Sequence, residues 1–394
     1  MNASPDLLTS RLHALVGEGV AAIDTPALVV DLDATNRNLQ RMTEFAAKHR
    51  VRLRPHAKMH KSVAFAQMQL QAGAVGFCTQ TVAEAEALAA GGIDDVFISN
   101  EVVSATKLHR VAALAHRLKA RGGQLAIAVD SALGVARLAQ AMQLTNAAID
   151  VFVEVDIGQG RCGVAPGAPA VELVRELVAR APRLRYAGLQ AYHGAAQHLR
   201  GADERRTAIA QAADRLRETL DHLNAADLAP PLVTGAGTGT FAYEAGSGLW
   251  GELQAGSFLF MDADYLRNQR DAAQPAFEPA LFVKSQIISV AAGHAVCDAG
   301  HKAHAIDSGL PTVHALPGQP PLTVGNGGDE HALLYPQGQD DGLPHLPALG
   351  DAVWLIPGHC DPTVNLHRHL IAVRGGLVDG RVEAVVPVLA RGVW

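Results

Sequence analysis

Among 394 residues there are only seven lysines against 18 histidines, so a lysine placed for covalent chemistry is easy to find. A Schiff-base lysine must reach a carbonyl in a dry site and be deprotonated there, which burial and nearby positive charge promote. Lys58 stands just past the apolar run 51–55, in Arg54-Pro55-His56-Ala57-Lys58. Lys61 is further out, at the start of the next helical run. Lys48, Lys107 and Lys119 fall on helical stretches, and Lys284 and Lys302 come late in the chain. A second feature is Gly235-Ala236-Gly237-Thr238-Gly239-Thr240, followed by Ala255-Gly256-Ser257. Such a loop is either a plain tight turn or a cradle of main-chain N–H groups for an anion. A phosphate cradle opposite a strand-end lysine is what pyridoxal 5′-phosphate requires.

A third feature is Pro357-Gly358-His359-Cys360-Asp361-Pro362. In an extended segment His359 and Asp361 project to the same side and Cys360 to the other, and imidazole plus carboxylate suits Mn, Mg, Co or Zn with open positions. A hydrogen-bonded loop histidine explains the same spacing, and Asp329-Glu330-His331 and the His301/His304 pair are competing metal sets. His193, in Tyr192-His193-Gly194, is either a base or a core histidine satisfied by a backbone carbonyl.

The elements that must position these residues follow a βα beat. Strand signals at 27–30, 51–55, 75–78, 95–99, 124–129, 149–155, 186–191, 231–234 and 258–261 alternate, through most of that span, with longer Ala/Leu-rich runs of helical period. The alternation predicts a parallel sheet of the size of a (β/α)8 barrel, with one terminal strand surplus; a doubly wound sheet is the alternative. In a barrel the reactive face is the C-terminal end of the strands. Past those ends come Lys58, Thr79-Gln80-Thr81, Asn100-Glu101, Asp156 with Arg161, and Tyr192-His193. After about residue 272 helical runs vanish and strand signals appear at 280–291, 294–298, 352–356, 370–374 and 382–387, with 311–350 read as long loops. The predicted fold class is therefore α/β: a (β/α)8 barrel followed by a β-rich second domain.

Lys+Arg total 33 against 39 Asp+Glu, a net charge of -6, which supplies no basic footprint for nucleic acid. No apolar stretch reaches 18 residues without charges, and the N-terminal residues do not read as a signal peptide. Cys78, Cys162, Cys297 and Cys360 lie far apart with no CxxC pair, against a zinc knuckle or a disulfide framework. No membrane partner and a cytoplasmic location are expected.

Several stretches resemble the metal-activated, pyridoxal-phosphate-dependent D-threonine aldolases and D-3-hydroxyaspartate aldolases, which share an alanine-racemase-type barrel with the D-serine dehydratases. They are Asp24-Thr25-Pro26, RPHAKMHKS at 54–62, ISNEVV at 98–103, VEVDIGQGRCGV at 153–164, GLQAYHG at 188–194, TGAGTGT at 234–240, ELQAGSF at 252–258, FMDADY at 260–265, DSGLP at 307–311, DEH at 329–331 and PGHCDPTVNLH at 357–367. The resemblance implies that Lys58 carries the cofactor and that Arg161 approaches its Schiff-base side. Gln80, Tyr192, Gly237, Thr238, Gly256 and Ser257 would hold ring and phosphate, and His359 and Asp361 would ligate the metal. It further implies that residues 1–32, with the strand 27–30, join the β domain (272–394) outside the barrel (33–271). Aldolases of this group tend to carry H-x-D where the dehydratases carry H-x-C, and the hard carboxylate oxygen favours Mn or Mg over zinc. Ala236 should be tolerated unless its position needs a positive φ.

The implied reaction is cleavage of a small D-3-hydroxy-amino acid, D-threonine or D-3-hydroxyaspartate, between Cα and Cβ to glycine and an aldehyde, with His193 taking the hydroxyl proton. A dehydratase of D-serine or D-threo-3-hydroxyaspartate, or an amino-acid racemase, would use the same Lys58 and phosphate loop. A non-catalytic pyridoxal-phosphate-binding protein would share the barrel without needing His359 and Asp361. The resemblance also implies a homodimer with its active site near the interface.

Overall fold

The computed structural model describes residues 11–319, 321–337 and 346–393. The chain divides into two units, one holding Gln40–Gly256 with Asn268–Ala276, the other holding the residues up to Leu39, Ser257–Arg267 and Phe277–Arg391. The first strand, β1 (Ala27–Asp31), belongs to the second of these.

The larger unit is a closed barrel of eight parallel strands: β2 (Arg52–Leu53), β3 (Phe77–Thr79), β4 (Asp95–Glu101), β5 (Gln124–Val129), β6 (Ile149–Glu154), β7 (Leu184–Ala191), β8 (Val233–Gly235) and β9 (Glu252–Leu253). β2 pairs with β9, and the ring is completed where the Cys78 N–H donates to the Pro55 carbonyl at 2.9 Å. The strands read as continuous apolar runs because both faces are covered. Along β6, Val151 and Val153 pack outward with the helices while Phe152 points inward with Cys78, Phe97, Ala126 and Ala128. The Phe97 and Phe152 rings lie 4.8 Å apart and help fill the interior. With its interior packed, the barrel leaves its chemistry to the loops at the strand C-termini.

The last barrel strand differs from the sequence reading. Residues 258–261 form no strand; Ser257–Leu259 is a 3-10 turn, and β9 at Glu252–Leu253 closes the barrel instead. A two-residue strand is too short for periodicity to register, whereas Phe-Leu-Phe-Met mimics a buried strand while serving as core.

In the other unit β1 pairs antiparallel with β10 (Leu281–Val290) and parallel with β16 (His369–Arg374), within the order β13-β14-β11-β10-β1-β16-β17. The remaining members are β11 (Ala295–Cys297), β12 (Thr312–Val313), β13 (Leu322–Asn326), β14 (Ala332–Pro336), β15 (Ala352–Ile356) and β17 (Arg381–Pro387). Three of these, β12, β13 and β14, lie in the segment read as long loops. β13 and β14 form an antiparallel pair whose outermost register is Leu322↔Pro336, a strand-end position that proline tolerates. A helix, Cys360–Leu366, also forms where helical signal was read as ending. The division between the units falls at Leu39/Gln40, and Ser257–Arg267 goes with the strand-rich unit.

Candidate active site

Lys58 sits in a 3-10 turn, Ala57–Met59, five residues past the end of β2. The turn is fixed by His56: its Nδ1 accepts from the Lys58 N–H at 3.3 Å and its Nε2 lies 3.2 Å from Gln80 Oε1 just past β3. Nδ1 therefore carries the lone pair and Nε2 the proton. Gln80 is held in turn, its N–H donating to Glu84 at 2.8 Å and its carbonyl accepting from Asn100 at 3.1 Å. The other strand-end lysine is engaged elsewhere. Lys61 Nζ pairs with Glu84 at 3.2 Å, both side chains nearly buried, and Glu84 also closes the capping box of the helix Val82–Ala90. Arg54 is likewise a strut, bound to Glu252 at 3.0 Å and Asp95 at 2.5 Å.

Two strands round the barrel from β2, with β9 between, the loop after β8 is organised by Gln197, which is fully buried and which the sequence did not single out. Its Oε1 accepts from the Gly239 N–H at 2.9 Å, and its Nε2 donates to Thr240 Oγ1 at 2.7 Å and to the His193 carbonyl at 3.1 Å. A Cβ on Gly237 would come within 2.5 Å of Gln197 Oε1, and one on Gly256 within 2.8 Å of the His56 carbonyl, so both positions require glycine. The N–H groups of Gly237 and Gly256 meet no acceptor among the described residues, and Thr238 beside them is buried. Two N–H groups left over at a barrel mouth are what an anion would satisfy. Ser257, next in the chain, is buried and is the first residue of the other unit's second segment.

Ala236 does take a positive φ, +72°, and is buried. A left-handed alanine costs about 1–2 kcal/mol, partly returned because glycine loses more chain entropy on folding. Ala236→Gly should therefore raise stability by roughly 0.5–1 kcal/mol, read as a higher denaturant midpoint at unchanged slope; an unchanged midpoint would remove the strain assignment.

His193 follows β7 by two residues, half-buried. The loops after β6 and β7 are tied together there, with Gly194 N–H donating to Gln159 at 2.5 Å and Arg215 donating to the Ile157 carbonyl at 2.9 Å. Burial, then the Arg215 charge, pull the His193 pKa below its ordinary 6.5 against the opposing pull of Asp156. Its Nδ1 is enclosed with no partner among the described residues, so no backbone carbonyl satisfies that nitrogen. Proton exchange falls to Nε2, and for Nε2 to accept a proton the neutral ring must carry its own on Nδ1. Nearby, Arg161 lies 5.6 Å from the Tyr192 ring centre in a cation–π contact. Burial, then the neighbouring Glu101 carboxyl, hold Glu154 at the end of β6 well above the usual carboxylate range.

In the strand-rich unit, His359 is the N-cap of the helix Cys360–Leu366, with extended φ, ψ of -148° and 127°. The extended-strand account of the H-x-D pair is thus replaced by a helix start: Asp361 stands in the first turn, and His359 Nε2 lies 3.9 Å from its Oδ2. Cys360 turns into the core, its N–H donating to Asp262 at 3.0 Å and its thiol to the Met261 carbonyl at 3.1 Å. Of the competing sets, Asp329 and Glu330 pair with Lys302, and the His301 and His304 rings are 6.4 Å apart. Among the described residues no group of three or more His, Cys, Asp or Glu could hold a metal ion.

Residues 30–264 match the family model of the alanine racemase N-terminal domain, and residues 280–373 that of a putative serine dehydratase domain. Over 402 residues the chain is 41% identical to 3-hydroxy-D-aspartate aldolase of Paracoccus denitrificans (strain Pd 1222), covering 100% of this chain and 99% of the relative. It is 41% identical over 379 residues to D-threonine aldolase of Arthrobacter sp, covering 95% of each. The chain belongs to this aldolase family. The crystal structure of D-threonine aldolase from Filomicrobium marinum superposes with a TM-score of 0.89 at 46% identity, over 96% of this chain and 98% of that one. D-threo-3-hydroxyaspartate dehydratase of Delftia sp. (strain HT23) is more distant, 33% identical over 73% of this chain and 74% of the relative.

Family membership implies pyridoxal phosphate, and the barrel mouth suits it: an amine at Lys58, and two acceptor-free N–H groups at Gly237 and Gly256 for a phosphate. At His359 and Asp361 an imidazole nitrogen and a carboxylate oxygen 3.9 Å apart have the donor chemistry to share one divalent cation with other positions left open.

Proposed function

We propose that this protein is a metal-activated, pyridoxal-phosphate-dependent aldolase, a carbon–carbon lyase that splits D-3-hydroxy-amino acids into glycine and an aldehyde. One observation favours it over the dehydratase reading: the partner facing His359 Nε2 is the hard carboxylate of Asp361, while the thiol between them in the chain, Cys360, is fully buried and donates to the Met261 carbonyl. The full-length identity to aldolases supports the same choice. No helix among the described residues is long and apolar enough to cross a membrane. The four free cysteines fit a cytoplasmic location, and the family resemblance supports a homodimer with its active site near the subunit interface.

In this reading Lys58 Nζ would hold the cofactor covalently, Arg161 would approach its Schiff-base side, and Gln80, Tyr192, Gly237, Thr238, Gly256 and Ser257 would hold its ring and phosphate. When bound, pyridoxal phosphate supplies a sink for the electron pair left on Cα by bond cleavage. When bound at His359 and Asp361, Mn, Mg or Co supplies a Lewis acid for the substrate hydroxyl. His193, neutral at pH 7, takes the hydroxyl proton on Nε2, and collapse of the oxyanion to a carbonyl releases the aldehyde. The aldehyde is acetaldehyde from D-threonine and glyoxylate from D-3-hydroxyaspartate.

Product analysis with D-threonine, D-phenylserine and D-3-hydroxyaspartate, with and without Mn, tests this. Glycine and aldehyde in equal amounts are expected, lost on chelation with EDTA and restored by Mn. Release of a 2-oxo acid with ammonia would establish the dehydratase, and D/L exchange alone the racemase. Full activity in EDTA with no retained metal would remove the metal-activated reading.

A further inference from the structure

The stretch DSGLP at 307–311 has no part in the reaction as described, yet it meets the metal-site histidine directly. His359 Nδ1 lies 2.7 Å from Asp307 Oδ2 and 3.4 Å from Ser308 Oγ, while Nε2 on the other side of the ring looks toward Asp361. An imidazole whose Nδ1–H is given to a carboxylate must present its lone pair at Nε2, and the carboxylate makes that nitrogen a better donor to a cation. The backbone around the contact is built to hold it. Arg267, paired with Asp264 at 2.8 Å, donates to the Ser308 carbonyl at 2.6 Å. A Cβ on Gly358 would fall 2.1 Å from the Gly309 carbonyl, so only glycine lets the two segments run this close. The Ala263 and Asp264 N–H groups donate to the carbonyls of Pro357 and Gly358 at 2.9 and 3.1 Å, fixing the residues just before His359.

We propose that Asp307 is a positioning residue that locks His359 in the Nδ1–H tautomer and so directs Nε2 toward the divalent cation shared with Asp361. This rests on the metal-activated reading given above. Asp307 touches neither substrate nor cofactor in this scheme; it acts through His359. Its side chain is 51% exposed, so replacing it leaves no core cavity.

The test is Mn(II) titration of metal-stripped, pyridoxal-phosphate-loaded protein, with free Mn(II) read by electron paramagnetic resonance. Wild type should bind Mn(II) in a manner abolished by His359→Ala. Asp307→Ala should weaken that binding by about 10–100-fold with an unchanged circular dichroism spectrum. Asp307→Asn, whose carboxamide oxygen still accepts the Nδ1–H, should stay within about threefold of wild type. Wild-type affinity in Asp307→Ala would overturn the role of Asp307 alone. Absence of His359-dependent Mn(II) binding in the wild type would overturn the metal site and, with it, this proposal.

Discussion

Lys58→Ala is expected to abolish turnover, a loss of at least about 10⁴-fold, and to leave pyridoxal phosphate removable by simple dialysis. The structure makes a sharp control of Lys61, three residues on. Lys61 is nearly buried against Glu84, which also holds the Gln80 and Thr81 N–H groups. Lys61→Ala strands a buried carboxylate, so it should lower stability by about 2–3 kcal/mol while keeping the cofactor covalently bound. Borohydride reduction of the loaded enzyme followed by peptide mapping reads the outcome directly. Pyridoxyl label on the Lys58 peptide is expected in wild type and in Lys61→Ala, and on neither lysine in Lys58→Ala. Label on Lys61 in wild type would reverse the assignment.

His193→Asn should lower kcat by about 10²–10⁴-fold, the usual worth of a positioned base, and leave cofactor absorbance intact. The pH profile adds a second readout. His193 acts only when neutral, and its pKa is displaced below 6.5 by burial and by Arg215. The kcat/KM of the wild type should therefore be flat through neutrality and fall only as the pH drops through a value below 6.5, with unit slope. Arg215→Met removes the positive charge that depresses this pKa, so the acid limb should move to higher pH. Near-normal turnover in His193→Asn, or an acid limb unmoved by Arg215→Met, would transfer the base role to another group.

Much of this was legible from local pattern. The βα beat, the Lys58 turn, the glycine loop and the H-x-D pair are all short-range signals, and a resemblance spread along the chain ordered them into one family. Three expectations failed for physical reasons. Residues 258–261 look like a strand because core packing and strand pairing select the same apolar residues. The strands β12 to β14 went unread because Gly and Pro at their ends resemble loop. The extended-segment geometry of the H-x-D pair does not hold, because two-residue spacing cannot reveal that His359 caps a helix.

The sequence by itself determined the chemistry available: two lysines past one strand signal, a glycine loop with the composition of an anion cradle, a histidine past a later strand, and an imidazole–carboxylate pair with a cysteine between. Only the tertiary structure decided which of these groups are committed elsewhere. Glu84, 23 residues from Lys61, occupies that lysine. Gln197, 42 residues from Gly239, ties the glycine loop to the carbonyl of His193. Asp307, 52 residues from His359, lies 2.7 Å from its Nδ1. The state of a titratable or ligating side chain depends on what lies within a few ångströms of it. Those neighbours come from strand ends far apart in the chain, which no local spacing records.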